Sequence, residues 1–358
     1  MKVIIPAAGL GTRLRPHTHH RPKPLMHVAG KTVLGHVLDK LAVLDIDEIV
    51  FIVGHLGDQI EAFVAAKYPY PARFVVQPTL QGQAHAIALA GEWIDGPLVV
   101  LFVDTIFEAD LADLASPDRD GVAFVKEVAD PRRFGVVTLD EAGFVTAFVE
   151  KPAAPTTNLA VVGLYYIEEG AWLRAAVDRL IAEGRQTKGE YYLTDALQLM
   201  VDEGARLLAR PTAVWEDCGT WPAILRTNRF LLGQMPADPP APRPGVVVRP
   251  PVSIAPDAVI VDSVVGPFVH VGAGCRIEAS VIGPSVSLAD GAEVRRSLVD
   301  DAIVDAGAQI TDATLTGSLV GAGAIVRGPR ERLNVGDSSE IDAQGPSISP
   351  DDPGAGLV

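Results

Sequence analysis

Between Met1 and Leu38 the chain carries six basic side chains, Lys2, Arg13, Arg15, Arg21, Lys23 and Lys31, and no acidic one. Within a chain of net charge −15 this is a local concentration of positive charge. Four of the six lie in or just beyond the loop Ala8-Gly9-Leu10-Gly11-Thr12-Arg13, which continues to Arg21-Pro22-Lys23-Pro24. The loop follows a short apolar run, Lys2–Pro6. Two glycines let its backbone turn tightly and approach a ligand, and consecutive N–H groups in such a turn form an anion-binding nest. The chemistry implied is binding of a polyanion such as a triphosphate.

Two common phosphate motifs are excluded. A dinucleotide fingerprint needs glycine at the third position of G-x-G-x-x-G, where Leu14 stands. A Walker A loop ending at Gly30-Lys31-Thr32 needs glycine at position 25, which is Leu25. Further polar groups punctuate the chain at strand ends: Gln77 with Gly82 five residues on, Asp104, Glu150-Lys151-Pro152, and Asp217 in Trp215-Glu216-Asp217-Cys218-Gly219-Thr220.

These residues must be positioned by the elements around them. Apolar runs at Val3–Ile5, Ile49–Val53, Phe74–Val76 and Leu98–Val103 read as strands. Helical stretches lie between them at Val33–Leu44, Asp58–Lys67 and Gln83–Ala90. Strands joined by helices imply a parallel sheet covered on both faces, with ligands beyond the carboxyl ends of its strands. The opening loop and Asp104 fall at that edge. Strands at Gly121–Lys126, Gly135–Leu139, Val145–Val149 and Ala160–Ile167 follow, with helices at Ala171–Ala182, Leu193–Val201 and Pro222–Leu232.

Seven prolines between Pro236 and Pro251 mark a stiff linker over 236–251. Beyond it aliphatic residues recur every 17 positions: Ile254, Val271, Leu288; Ile260, Ile277, Val294; Val265, Ile282, Val299. Val304, Ile310 and Leu315 continue the rows at 16. Three inward positions per turn predict a triangular coil over 252–341, the hexapeptide parallel β-helix pattern. Residues 342–358, rich in Ser, Pro, Gly and Asp, predict a disordered tail.

With G-x-G-T-R-L-x-P, P-K-P, the two aspartates and the coil in this order, the chain resembles sugar-1-phosphate nucleotidyltransferases over nearly its whole length, in particular the long form of glucose-1-phosphate thymidylyltransferases. The resemblance implies a Rossmann-like α/β domain over 1–235, with a mixed, mainly parallel sheet, and a C-terminal left-handed parallel β-helix. It implies that Ala8, Gly9, Leu10, Gly11, Thr12 and Arg13 bind the nucleotide, with Gln77 and Gly82 reading a pyrimidine base. Arg13 and Lys23 take the catalytic cation roles. Gly135, Glu150, Lys151 and Gly163 bind the sugar phosphate, and Asp104 and Asp217 hold Mg²⁺. The expected reaction, in nucleotide-sugar biosynthesis, joins a sugar 1-phosphate to the nucleotidyl group of dTTP and releases pyrophosphate. Two positions depart from the pattern. Thr105 follows Asp104 where asparagine is usual, and Ala8 stands where a third glycine is common. The second departure resembles uridylyltransferase relatives.

The residue types suit that reaction on chemical grounds. A phosphate monoester has a second pKa of about 6, so a sugar 1-phosphate is already a dianionic nucleophile and needs no general base. The task is to bring two polyanions together, which calls for protein cations and a metal held by one or two carboxylates. Two other classes compete: a bifunctional protein with an acetyltransferase in the β-helix, for which His270 is the candidate base, and a non-catalytic regulatory relative. Alternation with Val271 turns His270 outward. The length predicts two domains. Negative charge argues against nucleic acid, and Cys218 and Cys275 form no zinc or disulfide pattern. Without a leader or a membrane-spanning run, a cytoplasmic protein is expected, and the β-helix suggests a homo-oligomer. No matched residue lies beyond Asp217, so a chain ending near Met235 is expected to fold and keep some activity.

Overall fold

The computed structural model describes residues 1–237, 244–328 and 334–342. It forms two compact units. One comprises Met1–Thr12, Arg21–Met26 and Thr32–Gly219. The other comprises Arg13–His20, His27–Lys31 and the described residues from Thr220 onward.

The first unit is built on a nine-stranded mixed sheet. Its parallel half contains β1 (Lys2–Ala7), β2 (Glu48–Val53), β3 (Ala72–Val76) and β4 (Leu98–Leu101), in the order β4-β1-β2-β3. Val3–Ile5 and Ile49–Ile52 are wholly buried, as strands sandwiched between helices must be. Helix α1 (Val33–Lys40) buries Leu34, Val37 and Leu38, and Thr32 caps it by accepting a 2.9 Å bond from the Gly35 N–H. α2 (Gly57–Lys67) and α3 (Gln83–Leu89) supply the other crossovers.

Four further sheet strands and a ribbon strand extend this half: β5 (Thr105–Glu108), β6 (Gly121–Glu127), β7 (Gly135–Leu139), β8 (Val145–Glu150) and β9 (Leu159–Ile167). β9 runs antiparallel to β4, β6 and β7, and β7–β8 is a hairpin closed by a turn at Asp140–Gly143. Short connections of that kind permit only antiparallel neighbours. After α4 (Gly170–Ala182) and α5 (Leu193–Asp202), β10 (Leu207–Pro211) pairs parallel with β6, and β11 (Val214–Asp217) pairs with β5 in a separate two-stranded ribbon. Neither β10 nor the ribbon is visible in the periodicity, and β4 ends at Leu101 rather than Val103.

In the second unit, three parallel walls stack one strand per turn. The registers Ile254↔Val271↔Leu288↔Val304↔Val320 and Ile260↔Ile277↔Val294↔Ile310↔Val326 match the sequence rows residue for residue. These residues close a continuous apolar interior, and the all-parallel coil is consistent with a left-handed β-helix. The coil begins inside the stretch read as linker: Val246–Val248 pairs with Ser263–Val265, placing Val248 in the row of Val265. Its last described strands are Asn334–Val335 and Glu340–Asp342. The expected linker residues 238–243 and tail residues 343–358 lie outside the described residues.

Alternation along the second wall places Ser253, His270, Ser287, Ile303 and Leu319 outward. Ser287, Ile303 and Leu319 are nevertheless buried. Helix α6 (Trp221–Gly233) lies on these strands, with Ile224, Leu225 and Leu232 buried and Arg229 paired to Asp301 at 2.5 Å.

Candidate functional site

The parallel strands β1, β3 and β4 end at one edge of the first unit. Ala8 to Thr12 leave β1, Gln77 leaves β3, and Asp104 closes the turn after β4. Ala8 is buried, while Leu10 is exposed and Gly11 turns at φ +61°. Lys23 opens a short 3-10 turn, Lys23–Leu25, and its Nζ lies 3.2 Å from Asp104 Oδ2. Lys23 is largely buried, and the Asp104 side chain is 49% exposed. Arg13 falls in the second unit, where it is exposed.

The ribbon brings the two aspartates together. Asp217 stands opposite Thr105, and the Cys218 N–H donates to the Asp104 carbonyl at 2.9 Å. Asp217 is partly exposed, and its Oδ1 accepts from the Gly219 N–H at 2.6 Å. Among the described residues no three His, Cys, Asp or Glu side chains could hold an ion between them. Two accessible carboxylates fit a Mg²⁺ ion that arrives with phosphate and keeps much of its water, because such an ion needs no closed protein cage.

At the end of β3, Gln77 is 5% exposed. Its Nε2 lies 3.1 Å from His85 Nδ1 and 3.5 Å from the Gly82 carbonyl. That orientation, assigned from the network, turns the amide donors inward and leaves the carbonyl oxygen as the acceptor. Nothing in the sequence marks His85 as the partner of Gln77. Gly82 adopts φ +106°, and a Cβ there would fall 2.4 Å from the Tyr191 carbonyl oxygen. Glycine is therefore demanded by backbone crowding as well as by access.

The sugar-phosphate candidates cluster across β7 and β8. Gly135 pairs with Glu150, and the Lys151 N–H donates to the Phe134 carbonyl at 3.0 Å. Lys151 Nζ reaches Tyr192 Oη at 2.6 Å and Glu150 Oε1 at 3.8 Å. Thr194 Oγ1 donates to Glu150 Oε2 at 2.8 Å. Gly163 interrupts β9 with φ +79°, and its carbonyl accepts from the Phe102 N–H at 2.9 Å, two residues before Asp104.

Tyr191 to Thr194 is the piece the sequence did not reveal. The Tyr191 N–H donates to the Gln81 carbonyl, its carbonyl accepts from the Ala84 N–H, and Tyr192 and Thr194 hold Lys151 and Glu150. This short segment, which runs into α5 at Leu193, thus joins Gln81 and Ala84 to Lys151 and Glu150. Leu193 and Thr194 read locally as the start of a helix, and only the tertiary contacts give the segment this role.

The Glu150 side chain is 7% exposed. Burial raises its pKa, opposed by the Thr194 bond and the Lys151 charge. Burial, and then the Glu190 carboxylate, push the Tyr192 phenol up. A carboxyl pKa raised in the native state means that ionisation costs native stability as pH rises from the ordinary carboxylate value through the raised one. Glu150→Gln cannot ionise. It is expected to gain stability relative to the parent chain as pH rises above the ordinary carboxylate value of about 4, read from paired denaturation curves. A pH-independent difference would contradict the burial assigned to Glu150.

The nucleotidyl transferase family profile matches residues 2–234, and a GlmU-like C-terminal hexapeptide profile matches residues 247–318. A glucose-1-phosphate thymidylyltransferase of Streptomyces antibioticus is 33% identical over 65% of this chain and 66% of its own length. A UTP–glucose-1-phosphate uridylyltransferase of Haloferax volcanii is 31% identical over 57% of this chain and 85% of its own. A crystal structure from Bacillus anthracis, assigned as a glucose-1-phosphate thymidylyltransferase and solved with sucrose, superposes with a TM-score of 0.57 at 28% identity, covering 64% of this chain and 95% of that one. The chain thus spans about two thirds of the length of the Streptomyces protein. No described helix is long and apolar enough to cross a membrane. The extent of the first profile, together with the fold and the paired aspartates, establishes that this chain belongs to the nucleotidyl transferase family.

Proposed function

We propose that this chain transfers a nucleotidyl group from a pyrimidine nucleoside triphosphate to a sugar 1-phosphate and releases pyrophosphate, with dTTP and glucose 1-phosphate as the leading pair. The observation that carries the reading is the convergence of Lys23, Asp104 and Asp217 at the carboxyl edge of a parallel sheet. Arg13 and Lys23 bind the triphosphate through charge, and the Ala8–Thr12 loop offers backbone N–H groups to the same ligand. Lys151 binds the incoming phosphate. Glu150, held by Thr194, accepts hydrogen bonds from sugar hydroxyls. Asp104 and Asp217 hold Mg²⁺, which when bound supplies further positive charge to the phosphates. No side chain needs to remove a proton, so positioning and charge carry the rate. Uridylyl transfer is the second reading, supported by Ala8 and by the similarity to the Haloferax uridylyltransferase. Exposed Val247, Val281 and Leu298 on one β-helix wall support a homo-oligomer.

The metal assignment is tested by Asp104→Asn and Asp217→Asn. Each removes one charge and keeps the shape, and each is expected to lower kcat by about 10²-fold or more, the scale of one electrostatic group acting on the transition state. Turnover close to that of the parent chain at limiting Mg²⁺, for either variant, rules out its role.

Base choice follows from Gln77. With its donors turned inward, the carbonyl oxygen accepts a ring N–H, which thymine and uracil present and cytosine lacks. A site that leaves a buried polar group unpaired can reject the wrong ligand by about 10⁴-fold. Pyrophosphate release is therefore expected with dTTP and UTP and to be far slower with CTP, and the larger purine bases of ATP and GTP are expected to be rejected by size, measured against glucose, galactose, mannose and N-acetylglucosamine 1-phosphates. CTP turning over as fast as UTP would remove the role given to Gln77.

A further inference from the structure

The second unit contains more than the β-helix. It includes Arg13–His20, which carries Arg13, and His27–Lys31, the hairpin that begins four residues after Lys23. The contacts within this unit are specific. Asn228 on α6 is fully buried, and its Oδ1 accepts from the hairpin's Ala29 N–H at 2.9 Å and from Ser287 Oγ on the coil at 2.6 Å. Its Nδ2 donates to the Ser285 carbonyl at 3.3 Å. The hairpin also lies against His270: a Cβ on Gly30 would fall 2.7 Å from that ring. Farther along the coil, Pro16 packs on the backbone of Gly336, where a Cβ would fall 2.8 Å from the proline ring.

His270 is therefore half-buried under the hairpin rather than open to an acyl donor, which weakens the acetyltransferase reading. A chain ending near Met235 keeps every matched residue but loses the coil residues against Pro16 and Gly30 and the serine that holds Asn228.

We propose that Asn228 is a positioning residue for the hairpin that follows Lys23, and that the β-helix is the template on which Arg13 and that hairpin are held. The inference rests on the assignment of Arg13 to the triphosphate. Asn228 touches no substrate. It ties the hairpin backbone to Ser287 and Ser285, so the geometry of the hairpin depends on a residue far along the chain. A buried backbone N–H that loses its acceptor is costly, and the hairpin is expected to pull away from the coil when Asn228 is removed.

The experiment compares Asn228→Ala and Ser287→Ala with Arg229→Ala in the full chain. Arg229→Ala removes an α6–coil ion pair without touching the hairpin and serves as the control. Hydrogen–deuterium exchange is read over residues 13–31, and steady-state kinetics with dTTP or UTP are read separately for each substrate. Asn228→Ala should speed exchange across 13–31 and raise the KM for the triphosphate, each by about tenfold, the scale of a lost buried hydrogen bond. The KM for the sugar 1-phosphate should stay within about twofold. Ser287→Ala, which leaves the Ala29 bond in place, should show a smaller shift in the same direction, and keeps the test usable if Asn228→Ala does not fold. Arg229→Ala should change neither readout. Unchanged exchange over 13–31 in both Asn228→Ala and Ser287→Ala overturns the tether. Faster exchange with an unchanged triphosphate KM, or equal rises in both KM values, overturns the positioning role. A parent chain with no triphosphate-dependent turnover sinks the functional reading instead, while the exchange data still decide the tether.

Discussion

The ion pair between Lys23 and Asp104 is the point around which the first unit is arranged. A lysine ammonium and a carboxylate at 3.2 Å hold each other where neither is fully solvated. Three constraints make the pair possible. The parallel pairing of β4 with β1 brings the turn after Leu101 to the edge where the opening loop leaves Ala7. The 3-10 turn at Lys23–Leu25 returns the chain to that edge. The β5–β11 ribbon fixes the Asp104 backbone through Cys218 and brings Asp217 alongside. The apolar sheet is in this sense a rigid frame for a few polar side chains.

Much of this was legible from the residues. The runs at Val3, Ile49 and Leu98 fixed the parallel half because buried strands must be continuously apolar. The rows of Ile254, Ile260 and Val265 gave the coil register residue for residue, since a repeat that stacks on itself leaves its spacing in the chain. What stayed hidden was long-range. β10 and the ribbon strands are short, with no period to betray them. Tyr191 to Thr194 meets Gln81 and Ala84 through backbone pairing, and Lys151 and Glu150 through side chains. The inward turn of the Gln77 amide depends on His85, a histidine that looks like any other helical residue. Burial of Ser287, Ile303 and Leu319 on outward positions reverses the alternation, because α6 covers a wall that the repeat alone would expose.

The two units are unequal in what they reveal. The first contains Asp104, Asp217, Lys23, Glu150 and Lys151. The second contains Arg13, packed in one compact body with the coil. A β-helix is stiff because each strand is paired above and below, and a loop supported by it inherits that stiffness. Polar ties such as Asn228 suit this purpose better than apolar contacts alone, since a buried amide with three partners admits one geometry. Positioning of that kind is what a reaction between two polyanions requires, where orientation rather than proton transfer limits the rate.

The central claim is that a sugar 1-phosphate oxygen attacks the α-phosphorus of a nucleoside triphosphate directly. It is tested most directly by following the oxygens. Glucose 1-phosphate labelled with ¹⁸O in its non-bridging phosphate oxygens is incubated with the full chain, Mg²⁺ and dTTP or UTP, and the products are read by ³¹P NMR and mass spectrometry. The account predicts a nucleotide-sugar that retains all of the label, with one labelled oxygen in the new P–O–P bridge, alongside unlabelled pyrophosphate. Label lost from the sugar phosphate, or orthophosphate released in place of pyrophosphate, would contradict it.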